Sequence, residues 1–157
     1  MSSSLNAKKT PLNDPAQTLH WLEGMNCFHS LLNFGLMPEL TQIEVSSRFQ
    51  IPGLQIVGLA AREVGEARDR IESAIEAAQL KLPQKKLILN LAPAHLPKKG
   101  TGHDLPMALA LLAGSLPGAS PSGFPQTLAW AELGLDGRLK SSGQLTRLLY
   151  AAQEAGI

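Results

Sequence analysis

The side chains with the most chemical potential lie in one loop, between the apolar run Leu87–Leu91 and an apolar helix that follows Asp104. A loop held between a strand and a helix places its side chains at the mouth of a sheet, where proteins often carry binding or catalytic groups. The residue types in this loop raise three possibilities, which are phosphate binding, metal ligation and nucleophilic catalysis. Its ionisable side chains are His95, Lys98, Lys99 and His103.

A nucleotide-phosphate site and a metal site are both disfavoured by spacing. A P-loop needs glycine before its lysine and Ser or Thr directly after it, whereas the KKGT run at 98–101 has no upstream glycine at the right offset. His95, His103 and Asp104 share the loop, but there is no H-E-x-x-H pattern and no cysteine partner. We therefore predict neither a bound cofactor nor a metal ion in this chain.

The charge of the chain is unevenly distributed. The net charge is +1, yet Ala77–His103 contains five lysines, two histidines and no acid, while the remainder carries nine basic against 13 acidic residues. This asymmetry is compatible with an anionic partner for one face, but a solvated lysine cluster flanking a strand is the favoured interpretation. The lysines are Lys81, Lys85, Lys86, Lys98 and Lys99.

Composition narrows the class of protein. At 157 residues, with 44% apolar and 17% charged residues, the chain is expected to form one globular domain. The single Cys27 excludes an internal disulfide, and aromatics at 4% argue against a base-stacking platform. The longest apolar run, Leu105–Ala113, is too short for a membrane span, which needs about 20 residues. Together with the polar N-terminus, this predicts a cytoplasmic protein.

Periodicity and turn signals predict alternating helices and strands. Residues 1–25 are expected to form an extra segment, disordered to residue 13 and then helical from Asp14 to about Glu23. Apolar residues recur every three or four positions over Ala61–Gln79, which predicts an amphipathic helix with Arg68 and Arg70 on its solvated face. The remaining predicted elements are strands at 27–33, 40–46, 54–59, 87–91 and 127–133, a turn at 136–137 with a return strand at 138–140, a helix capped by Asp104, a loop at 115–125, and a last helix from 145 to 155.

Three stretches of this sequence resemble one known family. They are VGLAAREVGEARDRIESAI at 57–75, LNLAPAHLPKKGTGHDLPMALALLAG at 89–114, and ELGLDGRL with GQL…AAQEAG between 132 and 156. Together they resemble the N-terminal domain of the magnesium-chelatase-like family of AAA+ ATPases, which includes ComM and YifB-type proteins. The likeness covers residues 26–157, and we expect this domain to be truncated at its C-terminal edge. The family's usual loop is close to NLAPADLPKEG…FDLPIAL, so His95 and Lys99 replace acids and His103 replaces an aromatic residue.

The resemblance implies a fold similar to the proteolytic domain of Lon proteases, within the ribosomal S5 domain 2-like superfamily. In Lon-like sequences a serine and a lysine form the catalytic dyad. The matching positions in this chain are Gly102 and Thr146, so both functional groups are missing. We therefore expect no peptidase activity from this fragment and assign no catalytic residue.

The expected fold is α+β, a two-layer mixed sheet with helices packed on it. The resemblance implies a non-catalytic N-terminal domain of a magnesium-chelatase-like ATPase that acts in DNA recombination or competence by branch migration. The alternative is a structural or oligomerisation module without DNA contact. ATP and Mg belong to the full-length protein, whose own AAA+ domain would be the partner and would drive ring formation. The expected nucleic-acid contacts are Lys85, Lys86, Lys98, Lys99 and His103.

Overall fold

The computed structural model describes residues 28–32, 39–59, 61–113 and 126–157. The predictions for the segment 1–25, for Cys27 and for the loop at 115–125 lie outside these residues. Within them the chain forms a mixed α+β fold with a five-stranded sheet, a two-stranded hairpin and three α-helices. The strands are β1 (Phe28–Leu32), β2 (Glu39–Arg48), β3 (Gly53–Val57), β4 (Lys86–Ala92), β5 (Thr127–Leu128), β6 (Glu132–Leu133) and β7 (Leu139–Lys140). The helices are α1 (Ala61–Ala77), α2 (Asp104–Ala113) and α3 (Leu145–Ala155), and a short 3-10 turn covers Thr101–His103.

The sheet has the order β3-β4-β2-β1-β5. Its central strands β4, β2 and β1 are antiparallel neighbours, while β3 and β5 join the two edges in parallel. A parallel neighbour requires a crossover connection, and α1 supplies it between β3 and β4. This mixed sheet agrees with the α+β class expected from the sequence.

One face of the sheet forms the core. Leu89 of β4 and Ile43 of β2 are fully buried on this face, together with Leu54 of β3. The covering layer is α1, through Ala67, Ile71, Ala74 and Ile75, and α2, through residues on most of its circumference. The core is built almost entirely from aliphatic side chains, so close packing of α1 and α2 positions the loop between β4 and α2.

The predicted strand at 127–133 is wrong in its middle. Only Thr127–Leu128 and Glu132–Leu133 are strands, and residues 129–131 between them do not belong to a strand. There the amide of Ala129 donates to the carbonyl of His29 at 3.0 Å, and that of Ala131 donates to the carbonyl of Gly102 at 3.0 Å. Backbone groups need partners wherever they lie, and here the 3-10 turn supplies one in place of a neighbouring strand.

The C-terminal elements follow the predicted order. The turn between β6 and β7 contains Gly137 at φ 80°, a conformation that glycine adopts without a steric penalty. α3 ends at Gly156, whose φ of 69° gives the expected left-handed cap. α3 packs loosely, because Ala151 is its only buried residue while Leu145 and Leu149 are exposed.

Candidate functional site

The β4–α2 loop leads into a cluster of buried polar groups, which we call the buried joint (Ser30, Arg70 and Gly102–Asp104). Its strongest contact is a two-pronged ion pair from α1 to the start of α2. Arg70 Nε donates to Asp104 Oδ2 at 2.6 Å, and Arg70 Nη2 donates to Asp104 Oδ1 at 3.1 Å. Asp104 is 1% exposed, so this contact ties the two helices together below the surface.

The electrostatics of this pair follow from burial. Burial raises the pKa of Asp104, against the lowering effects of Arg70 and of the Leu133 amide, which lies 3.4 Å from Oδ2. The hydrogen bond to Asp104 raises the pKa of Arg70. The prediction that Arg70 lies on a solvated helix face is therefore wrong, because an i,i+4 pattern cannot show which charge meets a buried partner.

His103 forms the second buried contact. Its Nδ1 lies 2.6 Å from Ser30 Oγ, and its ring meets the Trp130 ring edge-on with centroids 4.9 Å apart. Burial, with a smaller effect of the Lys98 charge, lowers the pKa of His103 to about 4. A serine–histidine contact can activate a hydroxyl, but here Ser30 and His103 are at most 1% exposed and offer no approach to a substrate.

Trp130 also occupies the space beside Gly102. A Cβ at Gly102 would lie 2.1 Å from Trp130 Cε2, so any side chain there would require the indole to move. Thr146, at the other position matched to the Lon dyad, is exposed on α3. The structure therefore packs an aromatic ring where the resemblance would place a nucleophile.

The expected nucleic-acid contacts fall into two classes. Lys98 is 3% exposed, and its ammonium donates to the carbonyls of Pro93 and Leu96, the latter at 3.1 Å. Burial lowers the pKa of Lys98. Lys98 and His103 are thus placed inside the fold, where neither can reach a phosphate on the surface.

The other three lysines remain at the surface, but the structure does not bring them together. Lys85 and Lys86 lie at the start of β4, whereas Lys99 follows its end beside a concavity of about 460 Å³ that it shares with His95. β4 has seven residues, so its ends are separated by roughly 20 Å. The acid-free segment of the sequence is therefore not one surface patch.

Lys85 and Lys86 lie next to two residues, Arg48 and Phe49, for which the sequence alone predicted no role. Arg48 pairs directly with Lys86 across β2 and β4, and the Phe49 ring centroid lies 4.4 Å from Lys85 Nζ. We call Arg48–Ile51 with Lys85 and Lys86 the basic tip. The signal available in the sequence was the run RFQIPG at 48–53, which places arginine and phenylalanine beside a turn.

Among the residues that the structure describes, those of the β4–α2 loop do not fit an ATP–Mg site. The loop lysine that would have to reach a phosphate, Lys98, is bound to backbone carbonyls. In the ranges that the structure describes, no three His, Cys, Asp or Glu side chains are grouped to hold a metal ion. In the same ranges no helix is long and apolar enough to cross a bilayer.

The fold and this site define a class of protein. It is an α+β domain with a mixed sheet, in which the aromatic ring of Trp130 covers the buried joint. The family profile described as Subunit ChlI of Mg-chelatase matches residues 43–157, which is well over half of the chain. The chain therefore belongs to the ComM/YifB magnesium-chelatase-like family, and the resemblance deduced from its motifs is confirmed.

Individual relatives support the same assignment. Competence protein ComM of Haemophilus influenzae is 39% identical over 127 residues, which are 81% of this chain and 25% of that protein. The uncharacterised protein YifB of Escherichia coli is 44% identical over 91 residues, 58% of this chain and 18% of that protein. The chain thus spans a quarter or less of the length of these curated relatives.

Proposed function

We propose that this chain is a non-catalytic domain of a magnesium-chelatase-like AAA+ ATPase that engages DNA during recombination or competence. The family assignment and the name of its ComM relative support the setting. ATP and Mg would be bound by the ATPase module of the full-length protein, which would also drive ring formation. The likeness to the Lon proteolytic domain remains part of this proposal.

The observation that carries the non-catalytic assignment is the Trp130 ring beside Gly102. No side chain fits there without displacing the indole. The nearest alternative, Ser30 with His103, is sealed from solvent. Proteins with a serine nucleophile need an accessible hydroxyl beside a base, and the buried Ser30–His103 pair does not supply one.

The observation that supports DNA engagement is the surface placement of basic groups. Arg48, Lys85, Lys86 and Lys99 keep solvent contact, while Lys98 and His103 do not. Phosphate contacts of this kind are independent of sequence and weaken steeply as salt displaces them.

A salt series tests the proposal. Binding of the 157-residue chain to forked and single-stranded DNA would be measured by fluorescence anisotropy between low and physiological salt. We expect an association constant that falls with salt, and a further loss when Arg48, Lys86 and Lys99 are changed together to Gln. The absence of binding at low salt would contradict DNA engagement by this domain.

The exposed apolar face of α3 favours a second candidate, a structural or oligomerisation module. Leu145 and Leu149 are 66% and 62% exposed, and Tyr150 is also exposed. An interface of this type would be apolar and salt-tolerant. Sedimentation velocity of the chain and of Leu149→Ser would distinguish this candidate, since it predicts self-association that the substitution weakens and high salt does not.

A further inference from the structure

Two positively charged side chains of the basic tip, Arg48 and Lys86, lie side by side, an arrangement in which like charges repel each other. Arg48 and Lys86 are directly opposite each other in the antiparallel β2–β4 pair, so their side chains leave the same face of the sheet. Like charges at such positions destabilise a sheet, and the third residue of this row is Gly53, which has no side chain. Among the described residues, neither Arg48 nor Lys86 forms an ion pair with an acidic side chain.

The acidic groups nearest to the tip leave this face positive. Glu44 lies four residues earlier on β2 and accepts a hydrogen bond from Asn90 Nδ2 at 2.8 Å. Glu72 and Glu76 of α1 line the hollow on the helix side of the sheet, where Lys85 also lies. The face with Arg48 and Lys86 is therefore complementary to an anion rather than neutralised by the fold.

The tip also exposes apolar surface that the core does not use. Phe49 is 90% exposed, and Ile51 is 88% exposed and lines a concavity of about 560 Å³ together with Gln55 and Lys86. Lys85 Nζ lies over the Phe49 ring, which is otherwise open to solvent. An aromatic ring next to cationic side chains can stack on a nucleobase while the cations contact phosphates.

We propose that the basic tip binds single-stranded nucleic acid, with Phe49 stacking on a base and Arg48 and Lys86 contacting the neighbouring phosphates. This inference rests on the proposed function, because it names the part of the domain that touches DNA. Single-stranded DNA is the better ligand for this site than duplex DNA. A base can stack on Phe49 only when it is not already stacked between its neighbours in a double helix. Two exposed apolar side chains are a small surface for insertion into a lipid bilayer, so a membrane is the less favoured occupant.

Anisotropy titration of the 157-residue chain with a fluorescent oligothymidylate would test the tip directly. Phe49→Ala removes the stacking surface and is expected to weaken binding roughly 5- to 150-fold without changing the salt dependence. Phe49→Trp keeps an aromatic surface and is expected to preserve binding. The double variant Arg48→Gln/Lys86→Gln should lower the slope of log K against log salt by about 1.4, because each single-strand phosphate contact contributes about 0.7.

Lys99→Gln is the comparison for the tip, because it removes one proposed phosphate contact at the far end of β4 and should lower the salt slope by about 0.7 without removing aromatic surface. It should leave the effect of Phe49→Ala intact. Binding by the wild type that survives both Phe49→Ala and the double variant would overturn the tip assignment and leave DNA engagement standing. Equal losses on duplex and single strands would overturn the stacking role.

A complete failure of the wild type to bind any DNA would overturn both this inference and the proposed function. Sedimentation with vesicles of phosphatidylserine and phosphatidylcholine would then be compared for the wild type and Phe49→Ala. Vesicle binding lost in Phe49→Ala would identify the tip as a lipid contact and would likewise overturn the nucleic-acid assignment.

Discussion

The buried joint and the basic tip carry similar residue types at opposite ends of β4, yet they use them differently. At the joint, the half-buried Arg70 pairs with the fully buried Asp104. At the tip, Arg48 and Lys86 share one face of the sheet, and neither has an acidic partner among the described residues. Charge inside a protein must be paired, whereas charge on its surface is available to a ligand.

This contrast changes the meaning of the β4–α2 loop. By composition it is the most promising stretch of the chain for chemistry, but Lys98, His103 and Asp104 are bound within the fold, and His95 and Lys99 are its only exposed ionisable groups. Lys98 binds two carbonyls, His103 contacts Ser30, and Asp104 binds Arg70. A substitution in one region should therefore leave the other unaffected.

The largest effect is expected from breaking the ion pair of the joint. Arg70→Met leaves the carboxylate of Asp104 buried without its partner, which should lower the free energy of unfolding by about 3–5 kcal/mol. Urea denaturation at neutral pH measures this, with Arg68→Met as the control, since Arg68 is an exposed neighbour on the same helix. The penalty should shrink as pH falls, because protonation neutralises Asp104. A loss no larger than that of Arg68→Met would show that the pair does not stabilise the joint.

The second effect is a pH dependence from His103, whose pKa is about 4 in the folded chain against an ordinary value of 6.5. Between these values the unfolded chain binds more protons, so stability falls as pH drops through this window. The full loss is on the order of 3 kcal/mol. Denaturation of the wild type and of His103→Asn at several pH values isolates the residue. Parallel pH profiles of the two proteins would contradict the buried neutral histidine.

A third, smaller effect concerns the ring beside Gly102. Gly102→Ala places a methyl group into the Trp130 indole and should destabilise the chain by about 1–3 kcal/mol. Gly65→Ala in α1 is the matched control, because a Cβ there meets nothing within 4 Å and should stabilise the helix by about 0.5–1 kcal/mol. Thermal unfolding compares the two. If Gly102→Ala behaved like Gly65→Ala, Trp130 would not close the joint.

The smallest effect on stability is expected at the tip. Phe49→Ala removes a side chain that is 90% exposed, so the free energy of unfolding should change by less than about 0.5 kcal/mol. The same denaturation assay used for the joint measures this. A loss comparable to that of Arg70→Met would mean that the ring packs within the fold and is not free for a ligand.

Much of the fold could be predicted from local patterns. The alternation of strands and helices, the stripe of α1, the turn at Gly137 and the cap at Gly156 were confirmed, because periodicity and backbone geometry act over a few residues. The strand at 127–133 was not predicted correctly. Its break depends on Gly102, which is distant in sequence and binds the amide of Ala131.

The candidate site was less predictable than the fold. The scarcity of aromatic residues argued against a stacking platform, yet the structure leaves Phe49 at the tip of the sheet beside Lys85. Arg48 escaped notice because its pairing with Lys86 joins residues 38 positions apart. A count of residue types cannot show which few of them are exposed together.

By itself the sequence determined the family, the α+β class and the absence of P-loop spacing, since these depend on residue order alone. The tertiary structure decided which charges are buried and which are free. Arg70, Lys98 and His103 look like surface groups along the chain, but folding places each against a partner distant in sequence or removes it from water. Arg48 and Lys86 become neighbours only when β2 and β4 pair, and only the fold brings the Phe49 ring to Lys85. Burial and cross-strand pairing arise from long-range packing, which no local pattern contains.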